Sequence, residues 1–285
     1  LLTTNLDVSK SYRVKITTKD GRVYQTEFLE SKSSPEIDSI SRKIENGGFK
    51  VYINTHDPSN KTRFYSWDYQ ETWEITVPFF SLLELKNGKL VERDKSINIS
   101  RCWQGNSSSE ILIASSTRLS EDRISMAPIT FVHGNSIKVD QLYSILIRQY
   151  AHTRESYQYL ENMKKNTEKI GTVFDPQPSE LKGNFTCVTN PDEQVIGWVG
   201  AGTVSEKRIF IKREERLPTW SYRGEPCTSR DIPLDSLAAY TMFGYLVRDY
   251  TPFDPKFPPT GAVVARARCI DCRLMGTNVK PSYWP

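Results

Sequence analysis

Within the strand-like run 62–77 the side chains from Tyr65 onward alternate between two faces. Tyr65, Trp67, Tyr69, Glu71, Trp73, Ile75 and Val77 fall on one side, and Ser66, Asp68, Gln70, Thr72, Glu74 and Thr76 on the other. A period of two is that of a strand; on a helix these residues would scatter around the axis. A strand this long with one aromatic face needs a second layer to bury it, so the run commits the chain to a β architecture with facing layers. Segments 37–44, 49–55, 109–116, 124–133 and 141–151 read as further strands. Gly47-Gly48, Asp57-Pro58, Asn87-Gly88 and Gly134-Asn135 supply turn chemistry between them. The expected fold is mainly β: an antiparallel β-sandwich with one inserted helix and an irregular, cysteine-containing C-terminal segment.

Residues 12–28 read as a hairpin about Asp20-Gly21. A lone hairpin is marginal in water, so its partner strands are expected in a part missing from this chain or elsewhere in the fold. Ser31 to Pro35 reads as a linker. A helix is predicted over about 154–170, capped by Thr153, with Tyr159, Leu160, Met163, Thr167 and Ile170 as its apolar stripe and Gly171 just past its end. Phe174 to Pro178 reads as an extended loop, and strands are expected again at 184–189 and 194–212. From Leu217 onward Pro, Cys and aromatics increase and periodicity weakens, with a short helix expected within 234–250. The expected organisation is the end of a truncated N-terminal β-domain over 1–34, the main sandwich over 35–215, and a disulfide-clamped segment over 216–285 packed on it. The start, Leu1-Leu2-Thr3-Thr4, lacks Met and reads as a mature or truncated product.

The tail combines Cys269-Ile270-Asp271-Cys272 with Lys280-Pro281-Ser282-Tyr283-Trp284-Pro285. Half of a zinc site would need about four N or S ligands, and no second CxxC supplies them. A redox pair belongs at a helix N-terminus after a strand, a setting absent here. A structural clamp is favoured, with Cys227 bonding Cys269 or Cys272 and with Cys102 and Cys187 left as a second pair; spacing alone leaves the pairing open. His56, His133 and His152 show no metal-ligand spacing, and no motif calls for a cofactor. The 38 basic and 34 acidic residues are interspersed, giving a net charge of +4, which is no nucleic-acid footprint.

Glu71 sits among aromatics on the long strand. It is expected to be a buried carboxylate paired with an Arg on a neighbouring strand, Arg148 being the candidate. A raised pKa would instead make it an acid, and this is the basis for a hydrolase alternative. Trp67, Trp73, Trp103 and Trp198 would mark a glycan- or peptide-binding platform if exposed in a common groove. No catalytic residue is assigned, and the chain is read as non-enzymatic.

Several segments in order resemble one family, the Bacteroidota envelope lipoproteins grouped as domain of unknown function 4249. They are Tyr12 to Gly21, Pro35 to Ile40, Asn54 to Pro58, Tyr69 to Glu74, Cys102-Trp103, Tyr143 to Leu146, Gln149-Tyr150, Tyr157, Phe174 to Pro178, Gly183-Asn184, Arg208 to Ile211 and the tail from Cys269 to Trp284. The resemblance implies an outer-membrane, cell-surface lipoprotein held by an N-terminal lipid anchor that this chain lacks. It also implies association with a TonB-dependent, SusC-like β-barrel or a larger outer-membrane complex, in substrate capture, gating or assembly, and no nucleic-acid partner. The alternatives are a stand-alone glycan- or peptide-binding module and, less favoured, the Glu71 hydrolase.

Overall fold

A computed structural model describes residues 6–168, 181–252 and 258–285. The long alternating run forms the central strand β3 (Phe64–Thr76), and the strands before it are β1 (Ile37–Glu45) and β2 (Gly48–His56). After it come β4 (Arg101–Ser107), β5 (Leu112–Ser115), β6 (Arg123–His133), β7 (Leu142–Ala151), helix α1 (Arg154–Glu168) and β8 (Val204–Lys212). One antiparallel sheet runs β4-β3-β7-β8, with β5 also on β3; the other runs β6-β2-β1. The edge of β3 is shared: β4 pairs with its second half and β5 with its first.

The sheets share one core. Phe49, Val51 and Ile53 alternate inward from β2, Tyr143, Ile145 and Ile147 from β7, and Tyr65, Trp67, Trp73 and Ile75 from β3. Several inward polar groups are paired, as burial favours, although the Trp73 Nε1 finds no hydrogen-bond partner among the described residues. Gln149 is fully buried; it accepts from Trp67 Nε1 at 2.9 Å and donates to the Pro35 carbonyl at 2.9 Å and to Thr55 Oγ1 at 3.0 Å. Asp122 accepts from the Tyr65 and Ser116 hydroxyls and, at 2.9 Å, from the Asp57 amide. Asp57 in turn caps the turn after β2 through the amides of Ser59, Lys61 and Thr62. Burial pulls its carboxyl upward, but these hydrogen bonds outweigh that and bring its pKa down to about 2.

The N-terminal hairpin forms as expected, Lys15–Thr17 against Val23–Thr26, with Gly21 at φ 85° in its turn. Its partner lies elsewhere in the fold, in Phe185–Cys187. Leu29–Lys32, which runs into the start of the expected linker, pairs with Ser11–Tyr12 and, in parallel, with Ala201–Gly202. The expected loop over 174–178, Ile170 and Gly171 lie outside the described residues.

Residues 216–285 are more ordered than their composition suggests. Strands β9 (Ser229–Pro233), β10 (Tyr245–Thr251) and β11 (Gly261–Arg266) form an antiparallel sheet in the order β9-β11-β10, and the short helix α2 (Leu237–Met242) precedes β10. Ile232, Leu237, Val247, Ala262 and Val264 make a second core with Leu83, from the hairpin Leu83–Lys86 and Lys89–Glu92. These strands are short, and β11 is a run of small apolar residues with no alternation to read.

The cysteine pairing corrects half of the expectation. Cys227 bonds Cys269, one of its two expected partners. Cys102 bonds Cys272, and Cys187 remains a buried free thiol. Cys187 is held by its strand against the N-terminal hairpin, whereas Cys102 points inward from β4 into the core that also holds Cys272.

From Cys272 the tail crosses the open edge of β4. Thr277 and Trp103 exchange backbone hydrogen bonds of 2.8 and 2.9 Å, and a Cβ on Gly276 would lie 2.5 Å from the Trp103 carbonyl. The chain then lies across the outer face of the sheet. Tyr283 reaches Thr72 at 2.8 Å under the Arg208 guanidinium, which stands 3.6 Å above its ring. Trp284 is buried between Trp103 and Phe210 and donates to Glu74 at 3.2 Å, while Arg101 holds the same carboxylate through bonds of 2.7 and 2.8 Å. The opposite end of this outer face carries α1. There His152 bridges Ser66 at 2.6 Å and Ser156 at 2.9 Å, and Tyr157 packs on Phe64.

Two tests follow from these covers. Trp284→Ala should cost about 3–5 kcal/mol by opening a cavity, seen as a lowered urea midpoint; an unchanged midpoint contradicts tail docking. His152 is buried enough that desolvation lowers its pKa from 6.5 to about 4. The unfolded chain therefore binds a proton that the folded one refuses, so this contribution is complete above about 6.5 and is lost as pH falls toward 4, at about 1.4 kcal/mol per pH unit. His152→Gln, which retains hydrogen-bonding groups, should flatten stability across that window relative to wild type; parallel profiles contradict the assignment.

Candidate interaction surface

The carboxylate singled out by the sequence is internal. Glu71 is 3% exposed, accepts from the Tyr143 hydroxyl at 2.6 Å and is paired with Lys138, which lies on the turn leading into β7. Burial first, and the Glu71 charge next, push the Tyr143 phenol well above its ordinary value, so it stays a hydrogen-bond donor. The expected partner, Arg148, is on the other face. Glu71 stands opposite Ile145 and Arg148 opposite Asp68, and positions three apart on a strand point to opposite faces. Arg148 bonds Asp68 at 2.6 Å, with Tyr150 at 2.8 Å on the same carboxylate. The sequence identified a paired buried carboxylate but not its partner, because Lys138 lies outside the strands. A carboxylate locked between an ammonium and a phenol inside the sandwich organises the core.

The tryptophans do not form a platform either. Trp67, Trp73 and Trp103 are 4%, 5% and 4% exposed. Trp67 is bonded to Gln149, Trp73 lies under the Lys138 ammonium at 5.1 Å, and Trp103 packs on Trp284. Trp198 is half-buried and stacks on Tyr159 of α1, with ring centroids 5.3 Å apart. The proposed common groove is thus replaced by two core residues, one residue beneath the tail and one beside the helix. Trp103 shares the outward face of the sheet with Glu74, where the Arg101 guanidinium and the returning tail cover it.

One stretch of open apolar surface lies on the two segments flanking the hairpin Leu83–Glu92. Phe79 to Leu82 and Arg93 to Ser100 border a cavity of about 280 Å³ whose wall includes Ile270. Phe80, Leu82 and Ile97 are 73%, 51% and 46% exposed, well above what a core-forming role would leave. Arg93, Asp94 and Lys95 give this edge a charged border. Its backbone is fixed: the Phe79 amide donates to the Cys269 carbonyl at 3.1 Å, and the Leu82 amide to Arg248 at 2.8 Å. The Arg248 guanidinium stands 4.1 Å from the Phe79 ring, and Ile99, Ala265 and Ile270 form a small core beneath. The Cys227–Cys269 bridge anchors the same corner. Such a patch, apolar with a charged rim, has the composition of an interface. In this stretch only Asn87-Gly88 reads as a turn, and three scattered apolar residues carry no period to detect.

Among the described residues, no group of three or more His, Cys, Asp and Glu side chains is placed to hold a metal ion, and no helix is long and apolar enough to cross a membrane. The family described as Domain of unknown function (DUF4249) matches residues 2–208. No curated protein and no solved structure matches the chain.

Proposed function

The chain belongs to the DUF4249 family, and on that premise we propose that it is a non-enzymatic subunit at the outer membrane, seated on a TonB-dependent β-barrel or a larger outer-membrane assembly. Its work there is substrate capture, gating or support of assembly. The observation that carries this reading is the Phe80, Leu82 and Ile97 edge, open apolar surface on backbone anchored by a disulfide. A rigid edge with exposed anchors loses little entropy on docking, which favours a standing partner. Disulfides persist in oxidising compartments, which supports a place outside the cytoplasm. The choice of a barrel, the surface exposure and the lipid anchor come from the family resemblance rather than from the fold.

Affinity capture from detergent-solubilised native outer membranes tests the proposal. Wild-type protein should bring down a β-barrel, and Phe80→Glu with Leu82→Glu should reduce recovery by about tenfold or more, the effect of removing one or two interface anchors. Recovery of wild type as a lone monomer overturns the reading. Undiminished recovery with the double variant overturns the assignment of this edge.

A further inference from the structure

A second opening lies away from the Phe80 edge, and the inference drawn from it does not depend on docking there. Asp140, at the start of β7, and the segment Arg213 to Tyr222 after β8 line a cleft of about 540 Å³. Apart from Asp140, these residues lie beyond position 208, where the family match ends. The floor is core. Trp220 is 9% exposed, packs edge-on against Phe49 at 5.3 Å, and lies so close to Gly134 that a Cβ there would be 2.1 Å from its ring. The cleft is thus backed by packed structure.

Arg216 is the informative residue. Its side chain is only 8% exposed, its Nη1 lies 3.3 Å from Asp140 Oδ1, and its Nε has no hydrogen-bond partner among the described residues. Asp140 is itself shared, its other oxygen accepting from Gln141 at 3.1 Å. A buried guanidinium with an unused donor is costly unless a ligand completes it. Its planar fork matches a carboxylate, to which it can present two parallel N–H groups. Arg213 adds a second, exposed cation at the rim.

The remaining lining narrows the ligand. Asp140 and Glu214 repel a dianionic phosphate more strongly than a single carboxylate and accept hydrogen bonds from hydroxyl groups, and Ser221 can both donate and accept. Leu217, Pro218 and the half-open Tyr222 supply an apolar rim, suited to the C–H face of a sugar ring. A ligand that carries hydroxyl donors, one carboxylate and an apolar ring face satisfies all of these at once. We propose that this cleft binds a uronic-acid unit of an acidic saccharide, its carboxylate on Arg216 and Arg213 and its hydroxyls on Asp140 and Glu214.

Titration calorimetry with tetragalacturonate, a neutral glucose tetramer and inorganic phosphate tests this on the full chain. Saturable binding of tetragalacturonate is expected, with the neutral sugar and phosphate at least about tenfold weaker, the worth of one charge-assisted contact. Arg216→Lys keeps the charge but loses the fork, and should weaken binding by about tenfold on the same basis. Should Arg216→Lys fail to fold, the exposed Arg213→Gln decides, with a similar loss and an unchanged melting temperature. Absence of saturable binding, equal binding of the neutral tetramer or of phosphate, or full affinity in Arg213→Gln each overturns the proposal.

Discussion

The fold depends on enclosing β3 from both sides. A central strand of a sandwich normally presents one face to the core and the other to water. Here Trp73 and Ile75 face the core while Thr72 and Glu74, on the opposite face, are also buried. That second enclosure comes from the end of the chain, which returns from Cys272, crosses the β4 edge at Thr277 and places Trp284 on Glu74. The same passage covers an edge strand that would otherwise offer its open backbone to another chain. Glu74 can be buried because Arg101 and Trp284 both bond it, leaving no uncompensated charge.

The disulfides secure this geometry at two points. Cys102–Cys272 closes a separation of 170 residues and joins β4 to the root of the tail; Cys227–Cys269 closes 42 and joins the C-terminal sheet to the same turn. Cross-links across long loops restrict the unfolded ensemble most in the chain-entropy description. The bridges meet within the four residues Cys269 to Cys272, so main core, C-terminal sheet and tail converge there. The Phe80 edge takes its position from that convergence, through the hydrogen bond of Phe79 to Cys269.

What was legible in the sequence was whatever had a period or a turn code. The alternation of 62–77 defined β3, Asp20-Gly21 the first hairpin, and Thr153 the start of α1, where its hydroxyl accepts from the Ser156 amide. Short strands without alternation escaped: β4 ends in the polar run Gly105-Asn106-Ser107, and β9 and β11 take in Pro233 and Gly261. The site inferences failed for a different reason. Strand parity separates Arg148 from Glu71, but knowing which residue stands opposite which needs the register. Trp103 reads as an outward aromatic until the distant Thr277 to Trp284 tail is laid over it, and no local pattern announces that. Arg216 owes its importance to burial at an Asp140 far away in sequence.

On the proposed reading, a rigid body presents the Phe80 edge to a partner and the Arg216 cleft to a ligand. All of this rests on the tail being part of the folded unit rather than an appended arm. Native-state hydrogen exchange tests that most directly. The amides of Trp103, Cys272 and Thr277 should exchange with the same opening free energy as those of β3 and β7, as one cooperative unit. Exchange of the Cys272 and Thr277 amides at a much lower free energy, with β3 and β7 still protected, would contradict it.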